Sequence, residues 1–364
     1  MTAEDDRRFM ALAIQLGARG LGRVWPNPAV GCVIAQGGRI VGRGWTQDGG
    51  RPHAEPVALA QAGAAACGAT AYVSLEPCSH HGKTPPCAEA LVAAGIARVV
   101  TALEDPDPRV SGRGHSLLQA AGIEVVTGVL AAEAAAVQAG FLSRIRLGRP
   151  MVTLKLATSF DGRIATASGE SRWITGEGAR HLVHAMRARH DAVLVGGGTL
   201  RTDDPLLTVR GMGALRQPVR IVASAGLNLP LGRLAGSVPE GPVWLLHGGG
   251  APVAARAAWE AAGARLLPVA LGGGGLDPAA MLLALGQAGL TRVFCEGGGQ
   301  LAAALLAAGL VDEVIGFTAG LALGAGGLPS LGALPEGALA EAPRFTLAET
   351  GAVGGDVLHR WRRI

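Results

Sequence analysis

Apolar positions in the first half of the chain recur at helix and strand spacings. Phe9, Leu12 and Leu16 share one helical face, and Thr2 with Asp5 before them has the form of a capping box. Further helices are predicted over residues 53–61, 87–94, 115–121 and 131–147, and strands over residues 30–35, 40–45, 71–75, 98–103 and 123–127. This alternation predicts a layered α/β domain.

The same alternation continues after the sequence Gly148-Arg149-Pro150, which ends the helix before it. We place a boundary there and expect one domain over residues 1–147 and a second over residues 148–364. In the second domain the pattern predicts strands over 151–157, 192–195, 219–223, 243–246, 266–270 and 292–295, helices over 178–190 and 301–308, a glycine turn over 196–199, and loops over 168–175 and 202–205.

Composition limits the classes of protein to which the chain can belong. Hydrophobic residues make up 49% of the chain, yet the longest apolar run, residues 301–311, is too short to span a bilayer. The acidic start lacks the features of a signal peptide, so we expect a soluble, cytoplasmic protein. A net charge of +4 without a Lys/Arg-rich cluster favours phosphorylated small molecules over nucleic acid or membrane as partners.

One imidazole and two thiols have the chemistry of a catalytic zinc site. Zinc on His53, Cys78 and Cys87 would keep a fourth tetrahedral position open for water. Glu55, two residues after His53, is placed to accept a proton from that water. Zinc deaminases of nucleobases carry H-x-E followed by P-C-x-x-C, whereas the two cysteines here are nine positions apart. The sequence therefore predicts one zinc ion per chain and a hydrolytic deaminase.

Two other interpretations of these residues remain open. A structural zinc ion could take His80 or His81 as a fourth protein ligand, although Glu55 would then have no role. Alternatively, the two thiols could be buried without any metal. The remaining cysteines lie in or beside apolar segments, and we expect all three to be buried as small hydrophobic residues: Cys32, Cys67 and Cys295.

Polar residues in the second half are less specific. The strand over 292–295 leads into Glu296-Gly297-Gly298-Gly299-Gln300 and then a helix, which is the arrangement of an anion cradle and equally that of a structural turn. Lys155, Asp203 and Glu296 stand in or beside apolar strands, either as structural pairs or as a site. Three histidines in one helical segment are more typical of a polar surface than of a metal site: His181, His184 and His190.

Together these residues resemble the bifunctional deaminase–reductases of riboflavin biosynthesis over nearly the whole chain. In the first half the resemblance rests on His53-Ala54-Glu55, residues 27–31 and residues 76–87, whose wide cysteine spacing is the one this family uses. In the second half it rests on residues 154–157, 168–175, 202–205 and 296–298. The resemblance implies a cytidine-deaminase-like α/β/α domain followed by a dihydrofolate-reductase-like α/β domain.

The resemblance also implies two successive reactions. The first would be zinc-dependent deamination of 2,5-diamino-6-ribosylamino-4(3H)-pyrimidinone 5′-phosphate, with Glu55 moving protons from water to the ring and to the departing amine. The second would be NADPH-dependent reduction of the ribosyl group to give 5-amino-6-ribitylamino-uracil 5′-phosphate. The alternative is a zinc deaminase of a nucleoside or tRNA base with a non-catalytic second domain. The sequence leaves room for a homo-oligomer.

Residues that match binding positions of the family fall into two groups. The positions implied for NADPH are Ala157, Trp173, Thr199, Asp203, Ser224, Gly298, Gly299, Gln300, Leu301, Ala302, Ala303 and Ala304. Those implied for substrate are Asn27, Lys83, Lys155, Ser171, Arg187, Leu207, Arg210 and Glu296, with Arg187 and Arg210 suited to phosphate. The chain departs from the family pattern at three places: Thr46 for a frequent His, Asp107 for Asn, and Ser224-Ala225 for Asp-Ser.

Overall fold

The computed structural model describes residues 2–80, 85–108, 110–213 and 216–364. The chain divides into two compact units, Met1–Gly148 and Arg149–Ile364. Among the described residues, no helix combines the length and the apolar character that a membrane crossing requires.

The first unit is built on a five-stranded sheet. Its strands are β1 (Gly31–Gln36), β2 (Arg39–Trp45), β3 (Thr70–Val73), β4 (Arg98–Thr101) and β5 (Glu124–Val126), and its helices are α1 (Ala3–Gly17), α2 (Ala54–Ala62), α3 (Cys87–Ala93), α4 (Arg113–Ala120) and α5 (Ala131–Leu147). The strand order is β2-β1-β3-β4-β5. Strand β1 pairs antiparallel with β2 and β3, whereas β3, β4 and β5 are parallel.

Alternate residues of these strands fill two cores, one on each face of the sheet. Ile34, Val73 and Val99 pack with residues of α2, α3 and α4. Their chain neighbours Val33, Tyr72 and Val100 pack with residues of α1 and the start of α5. Because side chains alternate between the two faces of a strand, both faces are covered and the unit has three layers, α/β/α.

Helix α2 lies unusually close to strand β2. A Cβ atom at Gly42 would overlap the carbonyl oxygen of Ala58, and one at Gly44 would overlap that of Ala54. Only glycine leaves room for this approach. The helix that begins after His53 is therefore held directly against the backbone of the sheet.

The second unit contains a nine-stranded mixed sheet. The strands of the unit, in this sheet and in two short two-stranded sheets, are β6 (Met151–Ser159), β7 (Arg163–Ala165), β8 (Ala192–Gly196), β9 (Val219–Ala223), β10 (Val243–His247), β11 (Arg265–Pro268), β12 (Leu271–Gly272), β13 (Gly275–Leu276), β14 (Arg292–Cys295), β15 (Glu313–Ala319), β16 (Leu328–Pro329), β17 (Phe345–Val353) and β18 (Asp356–Arg363). Its helices are α6 (Glu177–Ala188), α7 (Gly197–Asp203), α8 (Gly232–Gly236), α9 (Val253–Ala261), α10 (Pro278–Gln287) and α11 (Gly299–Ala307).

The order of the large sheet is β11-β10-β9-β8-β14-β6-β15-β18-β17. The strands from β11 to β15 run parallel, and β18 and β17 join antiparallel at one edge. In parallel α/β sheets, ligands bind at the carboxyl ends of the strands. We therefore expect a ligand site among the residues that follow β8, β9 and β14.

The α/β class and the predicted helices and strands are confirmed, with boundaries that differ by a few residues. The predicted glycine turn over 196–199 was wrong, because helix α7 begins at Gly197. The prediction for Cys67 was also wrong, since this cysteine is exposed, whereas Cys32 and Cys295 are buried. His190 was expected on the surface but is buried, and its ring contacts the Met186 carbonyl and the Thr153 hydroxyl.

Two candidate functional sites

Three side chains with metal-binding atoms meet in the first unit. The ligand atoms of His53, Cys78 and Cys87 all lie within 4.8 Å of one another. Nδ1 of His53 is 3.3 Å from Sγ of Cys87 and 3.7 Å from Sγ of Cys78. Zinc bond lengths in tetrahedral geometry separate a nitrogen ligand from a sulfur ligand by about 3.6 Å. The two observed separations bracket that value, so these residues fit a tetrahedral zinc ion.

Helix N-termini supply two of the three ligands. His53 is the N-cap residue of α2, and Cys87 is the first residue of α3. The backbone N–H of Cys87 also donates to Sγ of Cys78, at 3.3 Å. Hydrogen bonds from the Cys87 thiol, from His53 and from this N–H lower the pKa of Cys78 to about 4, whereas the partner thiolate and burial raise the pKa of Cys87. Thiolate character, which zinc requires, is therefore built into the pair at Cys78.

A buried carboxyl group lies beside these ligands. Glu55 is in the first turn of α2 and only 3% exposed. Burial, with a smaller contribution from the Cys78 thiolate, raises the pKa of Glu55 to about 7. A group with a pKa near neutrality can both accept and return a proton. The arrangement therefore joins a metal-ligand set to a proton carrier.

The other predicted residues of the first unit differ in what they contact and in whether the structure describes them. The Asn27 amide packs against Gly50, whose positive φ and lack of a side chain leave room for it. Thr46 is 2% exposed, and its hydroxyl accepts a hydrogen bond from the Val30 N–H, so it holds the start of β1 in place. His80 is not part of the cluster among the described residues, while Lys83 and His81 lie outside those residues.

A second site centres on a buried carboxylate after strand β14. Glu296 accepts two hydrogen bonds from Arg187, at 2.5 Å from Nε and 3.0 Å from Nη2. Lys155 Nζ lies 4.0 Å from the same carboxylate. All three side chains are at most 18% exposed. Burial lowers the pKa of Lys155, while the charge of Arg187 helps to lower the pKa of Glu296 against the opposing effect of burial. Two cations and one anion thus face each other with little water.

The neighbouring segment 207–210 is fixed by side chains from outside it. Arg187 Nη1 donates to the carbonyl of Thr208 at 2.8 Å, and the N–H of Arg210 donates to Nδ1 of His184 at 3.2 Å. The amide of Gln217 brackets Val209, accepting from its N–H at 2.7 Å and donating to its carbonyl at 3.1 Å. Sequence reasoning missed the roles of His184 and Gln217, because no pattern in the sequence marks a side chain that binds a distant backbone.

Burial and neighbouring charges determine the state of His184 and the shape of this segment. Burial, followed by the charges of Arg187 and Arg210, lowers the pKa of His184. The imidazole is therefore neutral near neutral pH and can accept the Arg210 N–H. Leu207 has a φ of 56° and is 3% exposed, which is a strained conformation for leucine. Strain that the surroundings hold in place is common at ligand sites.

A third group gathers at the carboxyl ends of adjacent strands β8, β9 and β14. Gly298 is the N-cap of α11 with a φ of 58°, and a Cβ there would lie 3.3 Å from Oγ1 of Thr199. The Ser224 side chain packs against Gly197, at the start of α7. Gly299 and Gln300 open α11, whereas Ala302 and Ala303 are buried within it. The N-terminal turn of α11 therefore presents its free N–H groups where a phosphate could bind.

The remaining predicted residues lie on β6 and on the loop before α6. Ala157 is on the same strand face as Lys155, two residues nearer the carboxyl end. Trp173 is 67% exposed and stacks with the Arg180 guanidinium, 4.6 Å from the ring centre. Arg172 Nη2 donates to the carbonyl of Asp203 at 3.3 Å, which ties the loop carrying Ser171 and Trp173 to the end of α7.

Comparisons with known proteins agree with both halves of this description. Residues 3–103 match the cytidine and deoxycytidylate deaminase zinc-binding region, and residues 150–359 match the RibD C-terminal domain. The riboflavin biosynthesis protein RibD of Escherichia coli K12 is 45% identical over 368 residues, which cover 97% of this chain and 98% of that protein.

Solved structures give the same result. RibD of Acinetobacter baumannii superposes with a TM-score of 0.90 and 38% identity over 100% of both chains. A diaminohydroxyphosphoribosylaminopyrimidine deaminase/5-amino-6-(5-phosphoribosylamino)uracil reductase of Thermotoga maritima has a TM-score of 0.87 and 33% identity, over 100% of this chain and 99% of that one.

The fold and the sites thus define a two-part enzyme, with a zinc-binding deaminase domain and a reductase domain that uses a nicotinamide cofactor. The chain belongs to the RibD family, the bifunctional deaminase–reductases of riboflavin biosynthesis.

Proposed function

We propose that residues 1–147 carry out the deamination, residues 148–364 carry out the reduction, and one zinc ion binds per chain at His53, Cys78 and Cys87. The observation that supports this assignment most directly is the separation of the ligand atoms, 3.3 and 3.7 Å between Nδ1 and the two Sγ atoms, next to the buried Glu55. The proposed substrate is 2,5-diamino-6-ribosylamino-4(3H)-pyrimidinone 5′-phosphate, the substrate implied by the family resemblance.

The protein's own groups account for the proton movements of the first reaction. When bound, zinc would polarise a water molecule and lower its pKa towards 7. Glu55 would take a proton from the attacking water and give it to the ring nitrogen of the substrate. It would then carry the proton of the hydroxyl group that has added to the ring carbon to the amine, so that the carbonyl forms, the C–N bond breaks and ammonia leaves. Burial of the carboxyl keeps bulk water from competing for that proton. Asn27 and Lys83 bind the pyrimidine nucleotide, as the resemblance implies.

In the second reaction the hydride comes from NADPH, and the protein positions the reactants. We assign the nicotinamide cofactor to the face of β6 at Ala157, to the loop and helix residues Trp173, Thr199 and Asp203, to Ser224 after β9, and to the start of α11 from Gly298. The glycine at the N-cap and the free N–H groups of the first turn suit its phosphates.

The substrate of the reductase lies, in this proposal, between Lys155, Glu296 and the segment from Leu207 to Arg210, with Ser171 nearby. Arg210 is exposed, whereas the Nε, Nη1 and Nη2 atoms of Arg187 already donate to Glu296 and Thr208. We therefore assign the substrate phosphate to Arg210. Arg187 contributes by holding Glu296 and the 207–210 segment in place.

A two-step assay tests the proposal. The diaminopyrimidine phosphate is supplied with and without NADPH, and ammonia and NADPH are measured. We expect ammonia release without cofactor and NADPH oxidation only after deamination. In Glu55→Gln, ammonia release should fall by at least about 100-fold, the contribution typical of a general acid–base. Unchanged ammonia release in this variant would exclude the proton role, and loss of deamination in Asp203→Ala with reduction intact would reverse the assignment of the domains.

The same assay separates this function from the alternative of a nucleoside or tRNA deaminase with a non-catalytic second domain. NADPH oxidation that depends on the deaminated product requires a reductase on the chain. Replacing NADPH with NADH at equal concentration tests the choice of cofactor. We expect slower reduction with NADH, and equal rates would contradict the assignment of NADPH.

A further inference from the structure

One buried carboxylate near the zinc-ligand residues has a role that the mechanism above does not use. Glu76 precedes Cys78 by two residues, and its side chain has no exposed surface. Oε1 accepts hydrogen bonds from the N–H groups of Gly114 at 2.8 Å and His115 at 3.3 Å. Oε2 accepts from Asp105 at 3.1 Å and Gly112 at 3.0 Å. Four backbone donors thus converge on a single side chain.

These bonds join two segments that are far apart in sequence. Three of the donors come from Gly112 to His115, where α4 begins, so the helix dipole also favours the negative charge. The backbone N–H of Glu76 donates to the carbonyl of Leu103 at 2.8 Å. The segment that leads from β3 to Cys78 is therefore held by its backbone as well as by the Glu76 side chain. A Cβ at Gly114 would overlap the carbonyl oxygen of Pro77, so the two backbones touch between Glu76 and Cys78.

The position of Cys78 depends on this arrangement. Only Pro77 separates Cys78 from Glu76, and the carbonyl of Cys78 accepts the N–H of Ala88 from α3 at 3.1 Å. The cysteine is therefore held on one side by α3, which carries Cys87, and on the other by Glu76 and α4. Movement of the Glu76 backbone would change the separation of the two sulfur atoms.

We propose that Glu76 is a positioning residue of the metal centre. It touches neither the metal nor the substrate, and it fixes Sγ of Cys78 at the distance from His53 and Cys87 that tetrahedral zinc requires. Both acceptor oxygens matter as well as the shape, because an amide of the same size would turn an N–H donor towards backbone N–H donors. This inference rests on the proposed zinc site. Residues behind the first ligands typically change metal affinity by about 10- to 100-fold.

Zinc affinity of the full-length protein tests the inference. Glu76→Gln is compared with wild type and with Glu104→Gln, which alters a carboxylate of the adjacent segment that accepts one bond from the Ser111 hydroxyl at 2.9 Å. Competition with a chelator should give a zinc dissociation constant at least about 10-fold higher in Glu76→Gln and unchanged in Glu104→Gln. The Co²⁺-substituted protein should show an altered thiolate-to-cobalt charge-transfer band in Glu76→Gln alone. Circular dichroism and reductase activity on deaminated substrate should match wild type in both variants.

Gly114→Ala supplies a second test, should Glu76→Gln fold poorly. It pushes on Pro77 while leaving the carboxylate in place, and it should weaken zinc binding in the same way. Zinc affinity and cobalt spectra equal to wild type in a folded Glu76→Gln, or in Gly114→Ala, would overturn the positioning role. A wild-type chain that binds no zinc would overturn the proposed zinc site itself, which distinguishes the two failures.

Discussion

The pair formed by Arg187 and Glu296 gives the most quantitative prediction. Arg187→Ala removes both hydrogen bonds to the carboxylate and the bond to the Thr208 carbonyl, while Glu296 stays buried. The two side chains are 12% and 10% exposed, so solvent cannot replace the lost partner. Removing one member of such a buried pair costs about 3–5 kcal/mol. Lys155 Nζ, at 4.0 Å, still faces the carboxylate, so we expect the lower end, about 3 kcal/mol.

A double-mutant cycle separates this interaction from the effect of truncation. Urea unfolding of the second unit is followed by circular dichroism and by reductase activity for Arg187→Ala, Glu296→Ala and the double variant. We expect a coupling free energy of about 2 kcal/mol, because the double variant removes both members of the pair and leaves only Lys155 without its carboxylate, as Glu296→Ala already does. The exposed pair Arg360–Glu349, at 3.4 Å with side chains 29% and 50% exposed, serves as a control with an expected coupling below about 1 kcal/mol.

Kinetics of the folded single variant complete the test. Since Arg187 acts through Glu296 and the 207–210 segment, we expect Arg187→Ala to lower kcat of the reductase at saturating substrate while deamination is unchanged. Arg210→Ala should mainly raise KM for the phosphorylated substrate. A coupling free energy below about 0.5 kcal/mol would refute the positioning argument. So would a variant of Arg187 that changes only KM, because that result would place its guanidinium on the phosphate.

Other single substitutions test the proposed zinc ligands, the start of helix α11 and the buried His190. Cys87→Ser should abolish zinc binding and ammonia release but keep NADPH oxidation on deaminated substrate. A variant that still contains zinc and releases ammonia at the wild-type rate would contradict the proposed ligand set. Gly298 has a φ of 58°, and the new Cβ of Gly298→Ala would lie 3.3 Å from Oγ1 of Thr199. The variant should therefore destabilise the reductase unit by about 1 kcal/mol and raise KM for NADPH. Unchanged thermal unfolding and an unchanged KM would show that the start of helix α11 tolerates a side chain at this position. Burial lowers the pKa of His190 to about 3, below its unfolded value of about 6.5, so the unfolded state takes up a proton first as pH falls. Stability of this unit should decrease by up to about 1.4 kcal/mol per pH unit below pH 6.5, and the slope should be smaller in His190→Gln; equal slopes in urea unfolding would exclude His190 as the cause.

Periodicity predicted many of the elements that have a buried apolar face, but it missed the buried strand β15 and helix α10. The strand over 292–295 and the helix over 131–147 were located without error. The edge strand β17 and its neighbour β18 were also not predicted, since β17 is mostly exposed and depends on hydrogen bonds to β18. Helix α7 was taken for a turn because two glycines disfavour helix locally, whereas packing after β8 overrides that preference.

The chemistry of the first site was visible in the sequence, but its geometry was not. Ligand type and the Glu55 spacing predicted that His53, Cys78 and Cys87 would meet, although 34 residues separate His53 from Cys87. No pattern in the sequence indicates that the Glu76 carboxylate accepts hydrogen bonds from four backbone N–H groups. The Arg187–Glu296 pair, 109 residues apart, was equally invisible, because long-range ion pairs leave no periodic pattern.

The close approach of α2 to β2 has a consequence for surveys of related chains. Gly42 and Gly44 carry no functional group, yet a side chain at either would push away the helix that begins at His53 and carries Glu55. We therefore expect these two strand positions to affect deaminase activity, although they carry none of the proposed zinc ligands. A relative that keeps all three ligands but has a bulky residue at either glycine would be a candidate for a reductase with a silent first domain.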